Sequence, residues 1–221
     1  MQKQTLARPA AALIIATGVW FMSSCQTTPD PAESPAPTTS ETEEPAQQQD
    51  NTASEEQTDG ATNLPDWQDG APAEGTDALL AWEALMGPDG EYAALASYQA
   101  VLDAFGADVE PYASIREAEA RHADALIRQL ERQGIVAPEN PYLGLIQAPE
   151  DLQTAAEAWA EGEVANVELY DNLIAQTEDS RLLRVFENLR RASAEQHLPA
   201  FQAAAANGGT LDASDMPFGV S

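Results

Sequence analysis

From Asp77 to Ala206 apolar side chains recur every three or four residues, and glycine or proline breaks the pattern at Gly87-Pro88, Gly106, Gly134 and Gly208-Gly209. Spacing of that period lines one face of a helix, whereas a half-buried strand needs strict alternation, and no Val/Ile/Thr run of that kind occurs here. The chain is therefore expected to be all-α. A short helix is predicted over 77–86 and helix A over 89–105. Helix B is predicted over 114–133, with Ser114-Ile115-Arg116-Glu117 as a capping box. Helix C should run from Pro149 in its first turn to about Gln176, and helix D from a cap formed by Thr177 with Glu178 and Asp179 to about Ala206. Pro199 lies inside helix D and should kink it, because proline has no N–H to give the ladder. Short A–B and C–D turns and a long connection over 135–148 predict two antiparallel hairpins joined by a crossover between the second and third helices. That is the connectivity of a ferritin-like four-helix bundle.

Charge divides the 221 residues into parts. There are 37 acids and 10 bases, a formal −27, which excludes a nucleic-acid backbone binder because phosphate contacts need clustered Lys and Arg. Residues 26–74 hold twelve of the acids, seven prolines and no base. Such a segment cannot bury enough apolar area to offset its ordering entropy, so it is expected to be a disordered acidic spacer. A single cysteine excludes a disulfide framework and a Cys-rich zinc site.

Lys3 and Arg8, the apolar run from Ala10 to Met22, and Ser23-Ser24-Cys25 have the order of a secretory signal. The arrangement looks like a bacterial lipoprotein signal. Residues 1–24 would be removed, and Cys25 would carry the lipid, of the palmitate type, that begins the 25–74 linker. The predicted domains are then the bundle at 75–208 and a C-terminal tail at 209–221. The protein is expected outside the cytoplasm, in the cell envelope, held to a membrane by its N-terminal lipid on the periplasmic face of the outer membrane or on the outer cell surface.

Projection of each helix at 100° per residue shows charged groups inside the apolar stripes. Helix A reads Glu91, Leu95, Tyr98, Leu102, Phe105. Helix B reads Ile115, Glu119, His122, Leu126. Helix C reads Leu152, Ala156, Trp159, Glu163, Asn166, Tyr170, Ile174, and helix D reads Leu182, Phe186, Leu189, Ser193, His197, Ala204. Three inward carboxylates without a cation would be costly, since buried charges must neutralise or find partners. Carboxylates mixed with imidazoles suit iron, manganese or zinc. The candidate metal ligands are Glu91, Glu119, His122, Glu163 and His197; no catalytic residue is assigned. A metal-free polar core is the alternative, and Tyr98, Trp159 and Tyr170 read as core packing.

The stretches EYAALASYQAVLDAFG (91–106), PYASIREAEARHADALIRQLERQGI (111–135) and EVANVELYDNLIAQTEDSRLLRVFENLRRASAEQHLPAFQ (163–202) resemble the bacterial ferritin-like family catalogued as domain of unknown function 2202. The resemblance implies a four-helix bundle with a di-iron centre, one Glu from each of helices A and C and an E-x-x-H from each of B and D. Glu91, Glu119, His122, Glu163 and His197 match those positions. Ala194 stands where the second bridging Glu would be, and Glu195 should face solvent, so the residues support a mononuclear or incomplete dinuclear site for iron or manganese. The expected function is a membrane-anchored metal-binding protein with oxidase-type redox activity. The alternative is a metal-free helical interaction or scaffold lipoprotein of the envelope. A closed storage cage is disfavoured, because a lipid anchor and a long tail on every subunit would obstruct the shell.

Overall fold

A computed structural model describes residues 64–216 of the chain. The expected signal at 1–24, the lipidation site Cys25 and most of the acidic linker lie outside the described residues. Among the described residues there is no strand, and no helix is long and apolar enough to cross a membrane. The fold is an all-α bundle built from α1 (Asp77–Met86), α2 (Glu91–Phe105), α3 (Tyr112–Arg132), α4 (Leu152–Ile174), α5 (Ser180–Ala192), a π-helical turn (Ser193–His197) and α6 (Leu198–Ala206).

Helix starts differ from the sequence expectation at α2, α3 and α4. α2 begins at Glu91 rather than Asp89, because Gly87 to Gly90 form a turn closed by Gly90 N–H donating to Gly87 O at 2.9 Å. The capping box at Ser114 is not formed. α3 begins at Tyr112, and the Glu110 carboxylate accepts both the Ser114 N–H at 3.2 Å and its hydroxyl at 2.7 Å. Asp151 caps α4 through the Thr154 N–H at 2.7 Å, so Pro149 precedes that helix instead of opening it. Asp179 caps α5 through the N–H groups of Arg181 and Leu182, while the Thr177 hydroxyl donates to Asp77.

Helix D is in three pieces. Pro199 cannot donate to the Glu195 carbonyl, and the chain answers with a wider turn rather than a simple kink: Leu198 N–H donates five residues back, to Ser193 O. Pro199 then sits in the first turn of α6, where its missing N–H is not needed.

Two apolar clusters fill the bundle. One joins Leu80, Leu85, Tyr92, Ala96, Leu126, Leu130, Tyr170, Leu173, Phe186 and Leu189. The other joins Tyr98, Val101, Tyr112, Ile115, Ala155, Trp159 and Phe201. The order in which each helix visits the clusters fixes its direction: α2 and α5–α6 run from the first to the second, α3 and α4 from the second to the first. Thus α2–α3 and α4–α5–α6 are antiparallel hairpins, and the connection between Arg132 and Leu152 must cross over to join two helices pointing the same way. α1 packs in the first cluster and closes that end. Phe105, expected in the core, is exposed at the last residue of α2, where the chain turns away at Gly106.

Ordered structure extends past the expected limits at both ends. Trp67 and Ala71 pack against the first cluster, and Trp82 Nε1 donates to the Trp67 carbonyl at 2.7 Å. Beyond Ala206, Leu211 packs on the second cluster and its N–H donates to Glu110 O at 3.0 Å. Gly209 has φ +96°, and a Cβ there would stand 2.1 Å from the Leu152 carbonyl carbon, so the tail meets the start of α4 at a point only glycine fits.

Candidate metal centre

Between the two apolar clusters lies a polar layer. α3 passes from Ile115 through Glu119 and His122 to Leu126, and α4 from Trp159 through Glu163 and Asn166 to Tyr170. The third contribution comes from Ser193 and His197, between Leu189 and Phe201. Glu91 joins from the first residue of α2. Glu91, Glu119, Glu163 and His197 are fully or almost fully buried, while the His122 side chain keeps 16 % of its surface exposed and is the member of the group nearest solvent.

All five side chains expected from the sequence come together. His122 Nδ1 lies 2.7 Å from Glu119 Oε2 and 3.6 Å from Glu91 Oε2. On the other side His197 Nδ1 lies 3.0 Å from Glu119 Oε1 and 3.4 Å from Glu163 Oε1. Glu119 thus turns one oxygen to each imidazole, and the two rings stack at 5.6 Å between centroids. Ligand atoms fall into two triads, Glu91–Glu119–His122 and Glu119–Glu163–His197, each close enough to hold one metal ion, with Glu119 common to both. Glu195 is exposed, and Ala194 offers no donor, so the π turn supplies His197 alone.

Two residues read from sequence as packing belong to this layer. The Tyr98 hydroxyl donates to Glu163 Oε1 at 2.7 Å, and the Tyr170 hydroxyl donates to Glu91 Oε1. The pairs are crossed: Tyr98 on α2 reaches the acid of α4, and Tyr170 on α4 reaches the acid of α2. A sequence signal was available, because each tyrosine follows the acid of its own helix by seven residues, two helical turns along one face.

Electrostatics follow from burying like and unlike charges together. Burial, and then the neighbouring Glu119, push the Glu91 carboxyl up to about 8. Burial alone would raise Glu119 too, but His197, the Glu91 hydrogen bond and His122 outweigh it and hold Glu119 well below the usual carboxylate range. Burial opposes charge on His122 and His197, yet the facing carboxylates, Glu119 foremost, raise them to about 11 and about 10. Tyr98 and Tyr170 are held well above the ordinary phenol value, by burial first and then by the acids, so both remain neutral donors.

The donor set fits a cation. Oxygen and imidazole donors are the types iron, manganese and zinc share. Glu163 Oε2 is buried with no hydrogen-bond partner among the described residues, and Glu91 Oε2 has only the His122 ring at 3.6 Å; buried carboxylate oxygens of this kind are costly unless something positive meets them. No protein-family model, no curated protein and no solved structure matches the chain.

Proposed function

We propose that this chain is a ferritin-like helical protein that holds two divalent metal ions, iron or manganese, one in each triad, and carries out oxidase-type redox chemistry. The observation that carries the reading is the shared carboxylate. Glu119 offers one oxygen to each of two triads, the arrangement in which a single buried acid serves two ions. Glu91 and His122 would complete one ion's protein donors, Glu163 and His197 the other's. Iron bound there would supply reversible electron transfer with oxygen species. A set with three carboxylates favours the more highly charged oxidised ion, and the apolar clusters above and below keep bulk water out. Membrane tethering through Cys25 and an extracytoplasmic location complete the proposal, on the strength of the N-terminal sequence alone.

Metal analysis and melting of the full chain with Fe(II) or Mn(II) test it. Retention of about two ions per chain with a raised melting temperature supports the reading, since a ligand that binds only the folded state stabilises it. A folded chain that retains no metal and melts unchanged overturns it.

One observation favours the metal-free scaffold as a second reading. Two imidazolium rings offset two carboxylates when Glu91 carries its proton, so the layer can balance its own charge. Under that reading Glu119→Ala lowers stability equally with and without added metal. Under the metal reading the same change abolishes the metal-dependent increment.

A further inference from the structure

The crossed tyrosines do more than fill space. Each donates its hydroxyl to one oxygen of a terminal carboxylate, Tyr98 to Glu163 Oε1 and Tyr170 to Glu91 Oε1, and each of those acids keeps a second oxygen, Oε2, that is buried and hydrogen-bonded to nothing among the described residues. An oxygen that accepts a phenol hydrogen bond keeps a second lone pair, but part of its charge is committed to the phenol and the carboxylate is held in one orientation, so the bond favours ligation through a single oxygen over chelation by both. Glu119 differs: no tyrosine hydroxyl bonds to it, and its Oε2 faces His122 and its Oε1 faces His197, with Glu91 beside it.

We infer that Tyr98 and Tyr170 are positioning residues that restrict Glu163 and Glu91 to one metal-bound oxygen each, leaving Glu119 as the carboxylate that binds through both of its oxygens. The inference rests on the two-metal reading above. Each ion would then be held by three protein donors: one terminal oxygen, one oxygen of Glu119 and one imidazole nitrogen. Further coordination positions stay available to small oxygen-donor ligands. Without the tyrosines, the terminal acids would be free to chelate and close those positions. Because each phenol reaches from one helical hairpin to the other, the two terminal acids are constrained by opposite halves of the bundle.

Infrared difference spectra of the full chain, recorded before and after loading with Zn(II) or Mn(II), test this directly. The separation between antisymmetric and symmetric carboxylate stretches is wide for single-oxygen ligation and narrow for chelation. Wild-type protein should show the wide pattern for its terminal acids. Tyr98→Phe and Tyr170→Phe should each shift part of that intensity to the narrow pattern, and the double variant should shift more. Tyr142→Phe, which removes a buried hydroxyl bonded to Met86 O at the far end of the first cluster, should leave the carboxylate bands as they are. Ring-labelled tyrosine in the unmutated chain gives a second measurement that does not depend on variant folding: loading should shift labelled tyrosine bands. Identical carboxylate patterns in wild type and the Phe variants, or a loading spectrum with no tyrosine bands, overturn the inference. A wild-type chain that binds no metal overturns the two-metal reading instead, and the two failures are told apart by metal content.

Discussion

Loading the cluster near neutral pH should expel protons. His122 and His197, raised to about 11 and about 10, and Glu91, raised to about 8, all carry protons near pH 7, yet none can act as a ligand until it is deprotonated. Two imidazolium protons and one carboxyl proton make about three per fully loaded chain. Each proton released multiplies apparent affinity about tenfold per pH unit, so below about pH 8 affinity should climb up to about a thousandfold per unit. The metal-free protein should move the other way. Groups whose folded values are raised stabilise fully below their unfolded values and lose that contribution as pH rises through the folded ones. For Glu91 the window runs from 4.5 to about 8, and for the histidines from 6.5 to about 10 and about 11. Each bound proton in excess over the unfolded chain costs about 1.4 kcal/mol per pH unit. Glu119, held low, contributes above 4.5 and loses that contribution as pH falls through its folded value. Metal-free stability is therefore greatest in mildly acidic solution and falls toward alkaline pH, while metal-loaded stability rises over the same range. Titration calorimetry in buffers of different ionisation enthalpy counts the protons, and melting curves from about pH 6 to about pH 9 give the two slopes. Release of less than one proton near pH 7, or metal-free melting that rises across that range, would refute the electrostatic argument.

Glu119→Gln should empty both triads at once and leave two imidazoles facing a neutral amide. Metal content should fall to background, and denaturant unfolding should show a loss of about 3 kcal/mol, the scale of removing one partner from a buried ion pair. Gly209→Ala should destabilise by about 2 kcal/mol or more, because its Cβ would overlap the Leu152 backbone and φ is +96°; urea unfolding reads it, and metal content of the folded fraction should be unchanged. Trp82→Phe removes the hydrogen bond to Trp67 O and should cost about 1 kcal/mol in the same assay, with limited proteolysis increasing first at residues 64–75.

How much of this could be read beforehand follows from how local each determinant is. Helix number, hairpin pairing and the crossover were legible because amphipathic period and Gly/Pro breaks act over a few residues. The five inward donors were legible for the same reason: Glu91, Glu119, His122, Glu163 and His197 lie on apolar stripes, and a stripe must face the core. Helix starts were less legible, because a cap depends on which nearby side chain the backbone brings to the free N–H groups. Glu110 accepts the N–H of Ser114 itself, and Asp151 caps the helix that Pro149 was expected to open. The tyrosines pack in the two clusters as expected, but the partners of their hydroxyls were not legible. An apolar stripe says that Tyr98 and Tyr170 are inside but not where their hydroxyls end.

By itself, then, the sequence determined that the chain forms an α-helical bundle and that three acids and two histidines enter its core, since periodicity and the cost of burying charge depend only on residue order. Tertiary structure decided the rest. It set Glu119 between two imidazoles, split the donors into two triads, and crossed Tyr98 and Tyr170 onto each other's acids. Those relations join residues as far apart as Glu91 and Tyr170. Their energies depend on distances of about 3 Å between different helices, which no local pattern encodes.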